Sequence, residues 1–271
     1  MSDPFVGKSW TRTDQVSARL LQHFEMTLGD LVGGNGVPLG LHWCLAPDLA
    51  GPDDLGRDGH PRLGIFMPEL TLPRRMWAGG ELAIHGALKA GDEVTRTITI
   101  ERVDHKTGST GPLAFVTVRH LWRVAEETII DEVQNVVYRD DPQPGDAPVV
   151  HAEAEPWPDG RTLTFCADPV RLFRYSALTF NGHRIHYDAP YATGIEGYEG
   201  LVVHGPLQAT LMLNLAATVL GRAPHQFSYR GRAPLTAGTP ARVEARVGTD
   251  DVSLRLVAVD SGVATMTATA R

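Results

Sequence analysis

Residues 204–220, HGPLQATLMLNLAATVL, narrow the fold more than any other stretch of the chain. Gly205 falls at a helix cap, Pro206 in the first turn and Gly221 just past the last apolar residue, which is the usual order of start and stop signals. Between them apolar side chains occupy every face. A helix that is apolar all round has to be enclosed, so the rest of the chain must supply a layer that wraps it. With 271 residues and 42% hydrophobic content, that layer can be built as one large domain or as two small ones.

The wrapping material is β-like. Residues 226–231, 241–248, 252–259 and 262–269 read as four strands after the helix. Residues 81–85, 92–102, 114–124 and 128–138 have the same β-branched texture, and the run from Val94 to Ile100 alternates strictly. Residues 163–166 read as a further strand. Asp168-Pro169 then predicts an N-cap with proline at the first helical position, opening a helix to about Ala177. Near the N-terminus, Val16, Leu20, Leu21, Phe24 and Leu28 have helical spacing, with Asp14 as the expected cap and Gly29 as the stop. Residues 33–68 read as loop with one short apolar segment at 39–45, and residues 71–80 as another irregular stretch. Residues 140–158 hold five prolines and many acidic groups. They mark an exposed linker, dividing the chain into 1–140, a linker at 141–158, and 159–271.

The two parts repeat. Ile84-His85-Gly86 leads to Leu88-Lys89-Ala90-Gly91 and a strand; Tyr229-Arg230-Gly231 leads to Leu235-Thr236-Ala237-Gly238 and a strand. Both parts run helix, loop, then closing strands, so the order of elements supports a duplication. The first part has no counterpart of the apolar helix, and the space left could admit a ligand. The expected class is α+β: a double hot-dog, in which antiparallel sheets each wrap a helix, with the central helix degenerate in the N-terminal half.

The stretch Thr179-Phe180-Asn181-Gly182-His183-Arg184-Ile185-His186-Tyr187-Asp188, followed by His204-Gly205-Pro206, resembles the (R)-specific enoyl-CoA hydratase (MaoC-like) family. That family carries Ser/Thr-Gly-Asp-x-Asn-Pro-Ile-His and a downstream His-Gly helix start. Thr179, Ile185 and His186 match. Asn181 stands at the place of the catalytic aspartate, and Phe180, His183 and Arg184 replace glycine, asparagine and proline. With Leu72-Pro73-Arg74-Arg75-Met76-Trp77-Ala78-Gly79-Gly80 upstream, the chain is similar to a subgroup. That subgroup contains mesaconyl-C4-CoA (3-methylfumaryl-CoA) hydratases, itaconyl-CoA hydratases and mitochondrial-type 3-hydroxyacyl-thioester dehydratases. The resemblance implies a lyase that adds water to an unsaturated acyl-CoA, foremost a branched C5 dicarboxylyl-CoA giving citramalyl-CoA. The alternatives are dehydration of fatty 3-hydroxyacyl thioesters, or a hot-dog thioesterase or acyl-binding protein.

Hydration of an enoyl thioester needs a base for water, an acid for the α-carbon and donors for the enolate oxygen. His186 is the first choice for the acid/base, because imidazole titrates near neutral pH. Asn181 can orient water but cannot take its proton, so either His186 works alone or another group replaces the aspartate. Asp188 is the nearest carboxylate, and the other reading of it is a cap on the turn at 189–191. The helix start offers the Gly205 and Leu207 N–H groups as an oxyanion site, since Pro206 has none. Tyr175, His183 and His204 are weaker candidates for contact with substrate. Of Arg74 and Arg75, beside Trp77, one is expected to face inward and meet a carboxylate or a CoA phosphate. Arg230 and Arg232 are candidates for CoA, or are plain edge-strand charges.

A net charge of −7 argues against a nucleic-acid partner. No run of about 18 apolar residues predicts a membrane span, and the first 15 residues have no apolar signal core. Cys44 and Cys166 lack metal-type spacing and read as buried free thiols in a reducing cytoplasm. No helical histidine pair, phosphate loop or dinucleotide fingerprint stands out, so neither a metal nor a cofactor is expected, coenzyme A being part of the substrate. A double hot-dog holds a pseudo-dimer in one chain and can act as a monomer; a homodimer is the other option.

Overall fold

The computed structural model describes residues 3–32, 36–108, 111–143 and 151–271. The first half contains strand β1 (Ser9–Gln15), helix α1 (Ala18–Leu28), and strands β2 (Arg74–Ile84), β3 (Glu93–Gly108), β4 (Gly111–Val124) and β5 (Glu127–Arg139). The second contains strand β6 (Arg161–Phe165), helices α2 (Pro169–Thr179), α3 (Ala189–Gly194) and α4 (Gly205–Leu220), and strands β7 (Gln226–Gly231), β8 (Ala241–Val247), β9 (Val252–Ala258) and β10 (Ala264–Ala270). The expected linker falls partly on residues 144–150, outside the described residues.

One antiparallel sheet of ten strands runs β1-β3-β4-β5-β2-β7-β10-β9-β8-β6. Counted from either outer edge, each half follows the order first, third, fourth, fifth, second. The two halves meet where β2 pairs with β7, Gly79 opposite Arg230 through Ala83 opposite Gln226. The repeated turns also match. Gly91 and Gly238 are both left-handed (φ 91° and 84°), where a side chain is disfavoured. Their N–H groups make equivalent bonds, Gly91 to Val16 and Gly238 to Ala167, each acceptor lying between the first strand and first helix of its half. This is the double hot-dog architecture.

Helix α4 packs against β7, β8, β9 and β10, and Leu207 through Ala216 are buried. Its all-round apolarity thus has the expected cause. Among the described residues, no α-helix takes its place in the first half. A 3-10 turn at Leu41–Cys44 fills part of that space, resting on α4 where Gly40 leaves no room for a Cβ against Thr210. Phe66, Met67 and Leu72 cover another part, packed on Ile98, Ile100, Val116, Val136 and Tyr138. What remains open is a cavity of about 1340 Å³.

Four expectations need correction. Residues 74–80 are not irregular but lie on β2, at the centre of the sheet. Gly79 and Gly80 are required there, because a Cβ on Gly80 would sit 2.4 Å from the Tyr229 hydroxyl and one on Gly79 2.6 Å from the Tyr229 carbonyl. Asp14 lies on β1 and does not cap α1; Ser17 does, its Oγ accepting the Leu20 N–H, while Asp14 accepts from the Ala46 N–H at 2.8 Å. Because β7 is an interior strand, Arg230 is not an edge charge. Cys44 is buried, and desolvation pushes its thiol far up, but Cys166 is exposed. Among the described residues, no helix is long and apolar enough to cross a membrane.

A buried carboxylate ties the halves together. Glu132 on β5 accepts from Tyr229 of β7 (2.5 Å), from Trp43 Nε1 (3.1 Å) and from Gln134 (3.0 Å). Burial raises its pKa against those hydrogen bonds. Trp77, which lines the cavity, stacks on Tyr229 (ring centroids 4.4 Å apart).

Candidate active site

Asp168 caps α2 as expected, accepting the Arg171 N–H at 2.8 Å. The helix ends at Thr179, and Phe180 turns left-handed (φ 50°). This is the position where the resembled motif has glycine, and a side chain there costs roughly 1–2 kcal/mol. The chain then folds back: the Asn181 N–H donates to Ser176 O (2.8 Å), and Asn181 Oδ1 accepts the His183 N–H (2.9 Å). A 3-10 turn, Arg184–His186, follows and is zipped to the chain ahead of α4 by Val202 N–H to Ile185 O (2.9 Å).

That zipper sets His186. Its Nδ1 lies 2.7 Å from Val202 O, which accepts only, so Nδ1 carries the proton and Nε2 keeps its lone pair. The ring stacks on His204 with centroids 3.6 Å apart. His204, fully buried, has its Nε2 2.8 Å from Ser176 Oγ and its ring edge-on to Tyr175. Burial, then the neighbouring histidines, hold His186 well below the usual imidazole range; burial and His183 bring His204 to about 3. Both rings are therefore neutral near pH 7, and His186 presents a base.

The start of α4 stands beside this pair. Its hydrogen-bond ladder begins with Gln208 N–H to His204 O, leaving the Gly205 and Leu207 N–H groups ahead of it. Trp77 lies against Gly205, where a Cβ would come within 2.4 Å of the indole. Trp77 and Gly205 both line the cavity.

Other expected residues distribute as follows. Tyr175, Asn181, His183 and His204 line the cavity. Arg74 and Arg75 both line it, although one was expected to turn away. Arg74 is buried and neutralised by Glu196 (3.5 Å). Arg75 makes no ion pair or hydrogen bond with any described residue, yet its charge acts on His60, His120 and Tyr138. Arg232 lines the cavity and donates to Thr267 Oγ1 (3.2 Å), whereas Arg230 is exposed away from it. Asp188 is placed as a helix cap rather than on the cavity wall. It caps α3 through the Tyr191 N–H (3.1 Å) and takes Arg184 Nε and Nη2 at 2.9 and 2.7 Å. It does not line the cavity, and the Arg184 hydrogen bond holds its carboxyl below the ordinary range.

Three side chains in the site escaped sequence reasoning. Glu196, almost wholly buried, reaches His183 Nε2 (3.4 Å) as well as Arg74. Asp58 and His60 come from the loop before β2, with Asp58 Oδ2 2.9 Å from His60 Nδ1 and the His60 ring 4.4 Å from that of His183. Asp58, His60 and His183 bring ligand atoms within 4.8 Å of one another and could hold a metal ion. Spacing along the chain cannot reveal such a cluster, since His60 and His183 are 123 positions apart. The available signals were weak ones: an Asp-Gly-His-Pro turn, and a Glu between apolar Ile195 and Gly197.

The hydroxyacyl-thioester dehydratase type 2 family matches residues 40–237. The chain is 44% identical over 223 residues to a mesaconyl-C(4)-CoA hydratase of Chloroflexus aurantiacus, covering 82% of this chain and 79% of that one. Among solved structures, HtdX of Mycobacterium tuberculosis superposes with a TM-score of 0.67 at 18% identity, covering 97% and 99% of the two chains. A second M. tuberculosis protein, described as having a double hotdog fold, gives a TM-score of 0.59 at 15% identity, covering 98% and 95%. These structural likenesses speak to the fold alone.

Proposed function

The chain belongs to the hydroxyacyl-thioester dehydratase type 2 family, and from that membership we propose that it hydrates a branched, unsaturated C5 dicarboxylyl-CoA to citramalyl-CoA. Mesaconyl-C4-CoA and itaconyl-CoA are the two candidate substrates. As a member of the family it is a hydro-lyase acting on acyl thioesters.

For a mesaconyl-type substrate the residues act in sequence. His186 Nε2 takes a proton from water as the oxygen bonds to the β-carbon. The π electrons move to the thioester oxygen, where the N–H groups of Gly205 and Leu207 meet the developing charge. His186 then returns the proton to the α-carbon, leaving a 3-hydroxyacyl thioester. The Val202 carbonyl, accepting from Nδ1, supports the imidazolium while it lasts.

One observation carries the dicarboxylate reading. Arg75 is a cavity-lining cation with no described counter-ion, beside His60, and His60 adjoins His183. A mesaconyl-type group bears its free carboxylate on the carbon that water attacks. Its counter-ion must therefore lie on the cavity wall near the acid/base histidines, and the influence of Arg75 on His60 supports that role for it. Arginine presents a planar fork that matches a carboxylate. A fatty acyl chain would leave that charge unmatched.

The test is turnover of purified protein on mesaconyl-C4-CoA, itaconyl-CoA and crotonyl-CoA, followed by enoyl-thioester absorbance. Preference for a dicarboxylyl ester supports the proposal. Turnover of crotonyl-CoA alone would return the chain to the fatty-acyl reading.

A further inference from the structure

Asn181 leaves the reaction one acceptor short. An attacking water has two hydrogens, and a site that aims its lone pair at carbon has to hold both. His186 Nε2 takes one. In the resembled motif a carboxylate would take the other; Asn181 offers only a neutral carboxamide oxygen, one of whose two lone pairs already accepts the His183 N–H at 2.9 Å.

We propose that His60, held by Asp58, supplies the missing acceptor from the first half of the chain. Asp58 Oδ2 lies 2.9 Å from His60 Nδ1, while Asp58 Oδ1 accepts the His60 backbone N–H at 3.0 Å. A carboxylate on Nδ1 selects the Nδ1–H tautomer, so Nε2 is left as an acceptor. His60 lines the cavity, and its Nε2 has no hydrogen-bond partner among the described residues. Its ring centroid is 4.4 Å from that of His183, which is 5.4 Å from that of His186.

The Asp58–His60 turn is docked on the catalytic loop rather than merely near it. The Arg184 N–H donates to Asp58 O (2.8 Å), and Arg184 Nη1 donates to Arg57 O (3.1 Å). Gly59 and Gly182 approach so closely that a Cβ on Gly59 would stand 2.0 Å from Gly182 O, and one on Gly182 2.6 Å from Gly59 O. Two glycines at one crossing let the turn reach the loop. Burial opposes the charge on Asp58, but its hydrogen bond to His60 holds its carboxyl below the carboxylate range.

The step balances with one proton. Water gives one hydrogen to His186 Nε2 and keeps the other, hydrogen-bonded to His60 Nε2, as its oxygen bonds to the β-carbon. The proton on His186 passes to the α-carbon. His60 ends as it began, and Asp58 neither gains nor loses a proton.

This inference rests on the hydratase reading, so the experiment separates the two. Parent protein, Asp58→Asn and His60→Ala are assayed on the preferred enoyl-CoA. Thermal midpoints and the ¹⁵N resonances of the histidines are recorded in parallel. The carboxamide introduced by Asp58→Asn keeps the backbone contact but donates to Nδ1, which forces the Nε2–H tautomer on His60. The expected result is a kcat loss of about 10²-fold in both variants, the cost of misplacing a reacting water by about 1 Å. KM should stay within about threefold, and His60 should change tautomer in Asp58→Asn. Variants with kcat within about threefold of an active parent overturn the role of His60 and leave the hydratase reading intact. Activity lost on chelation and restored by zinc assigns the cluster to a metal and also overturns it. A parent inactive on every enoyl-CoA refutes the hydratase reading, and this inference with it.

Discussion

Gly205→Ala isolates the contribution of the helix start. The added Cβ would lie 2.4 Å from Trp77 Cε3 and 3.1 Å from Cζ3, whereas carbon atoms at rest sit about 3.5–4.0 Å apart. One partner has to move by about 1 Å. The indole cannot easily do so: it stacks on Tyr229 (4.4 Å) and meets Trp43 edge-on (5.9 Å). Both of those rings are hydrogen-bonded to the buried Glu132. The first turn of α4 must therefore shift, taking the Gly205 and Leu207 N–H groups off the thioester oxygen. Overpacking of this kind costs about 1–3 kcal/mol of stability. A misplacement of about 1 Å at reacting groups costs about 10²-fold in rate. The assay is kcat at a temperature well below the unfolding midpoint, with the midpoint measured separately. Gly205→Ala should lose about 10²-fold in kcat, and adding Trp77→Phe, which opens space beside the Cβ, should recover at least about tenfold of it. A single variant with kcat within about threefold of the parent would show that the helix start does not hold the reacting oxygen.

Arg75→Met should lower kcat/KM on the dicarboxylyl-CoA by about 10–150-fold, the equivalent of a charged hydrogen bond of about 1.5–3 kcal/mol, and leave crotonyl-CoA within about threefold; equal losses on both would refute the carboxylate contact. Asp188→Ala should lower the thermal midpoint by a few degrees at most, through the lost α3 cap, yet keep kcat, and a large fall in kcat would reinstate it as acid/base. His60, His186 and His204 are held neutral by burial, with folded pKa values below that of an unfolded histidine. The unfolded chain therefore binds more protons below pH about 6.5. Stability should be level above that pH and fall below it, by up to about 1.4 kcal/mol per pH unit for each histidine. Urea titrations at pH 7 and pH 5 that give the same unfolding free energy would contradict this.

What was legible in the chain depended on whether the signal was local. Helix α4 could be read because enclosure is written into sixteen consecutive residues, and β7 matched to the residue because Phe227 and Tyr229 alternate with polar neighbours. Strand β2 could not, because its first half, Arg-Arg-Met-Trp-Ala-Gly-Gly, has the composition of a loop. Its glycines answer to Tyr229, a residue about 150 positions away that crosses them. Strand β1, Ser-Trp-Thr-Arg-Thr-Asp-Gln, is an edge strand with mostly polar residues, so periodicity gave it no weight and Asp14 was read as a cap. In the site, His186 and the Gly205 turn were visible as a motif. Asp58, His60 and Glu196 were not, because loops joined only in three dimensions bring them to His183. Asp188 misled for the converse reason: being two residues from His186 in sequence does not put it on the same side of a 3-10 turn.

In the proposed reaction His186 moves the proton of the added water. This is tested most directly by incorporation of ¹⁸O from labelled water into the 3-hydroxyacyl-CoA product, comparing the parent with His186→Ala on the dicarboxylyl-CoA. One labelled oxygen per turnover is expected in the parent, and a loss of at least about 10²-fold in the variant. Labelling at the parental rate by His186→Ala would contradict it.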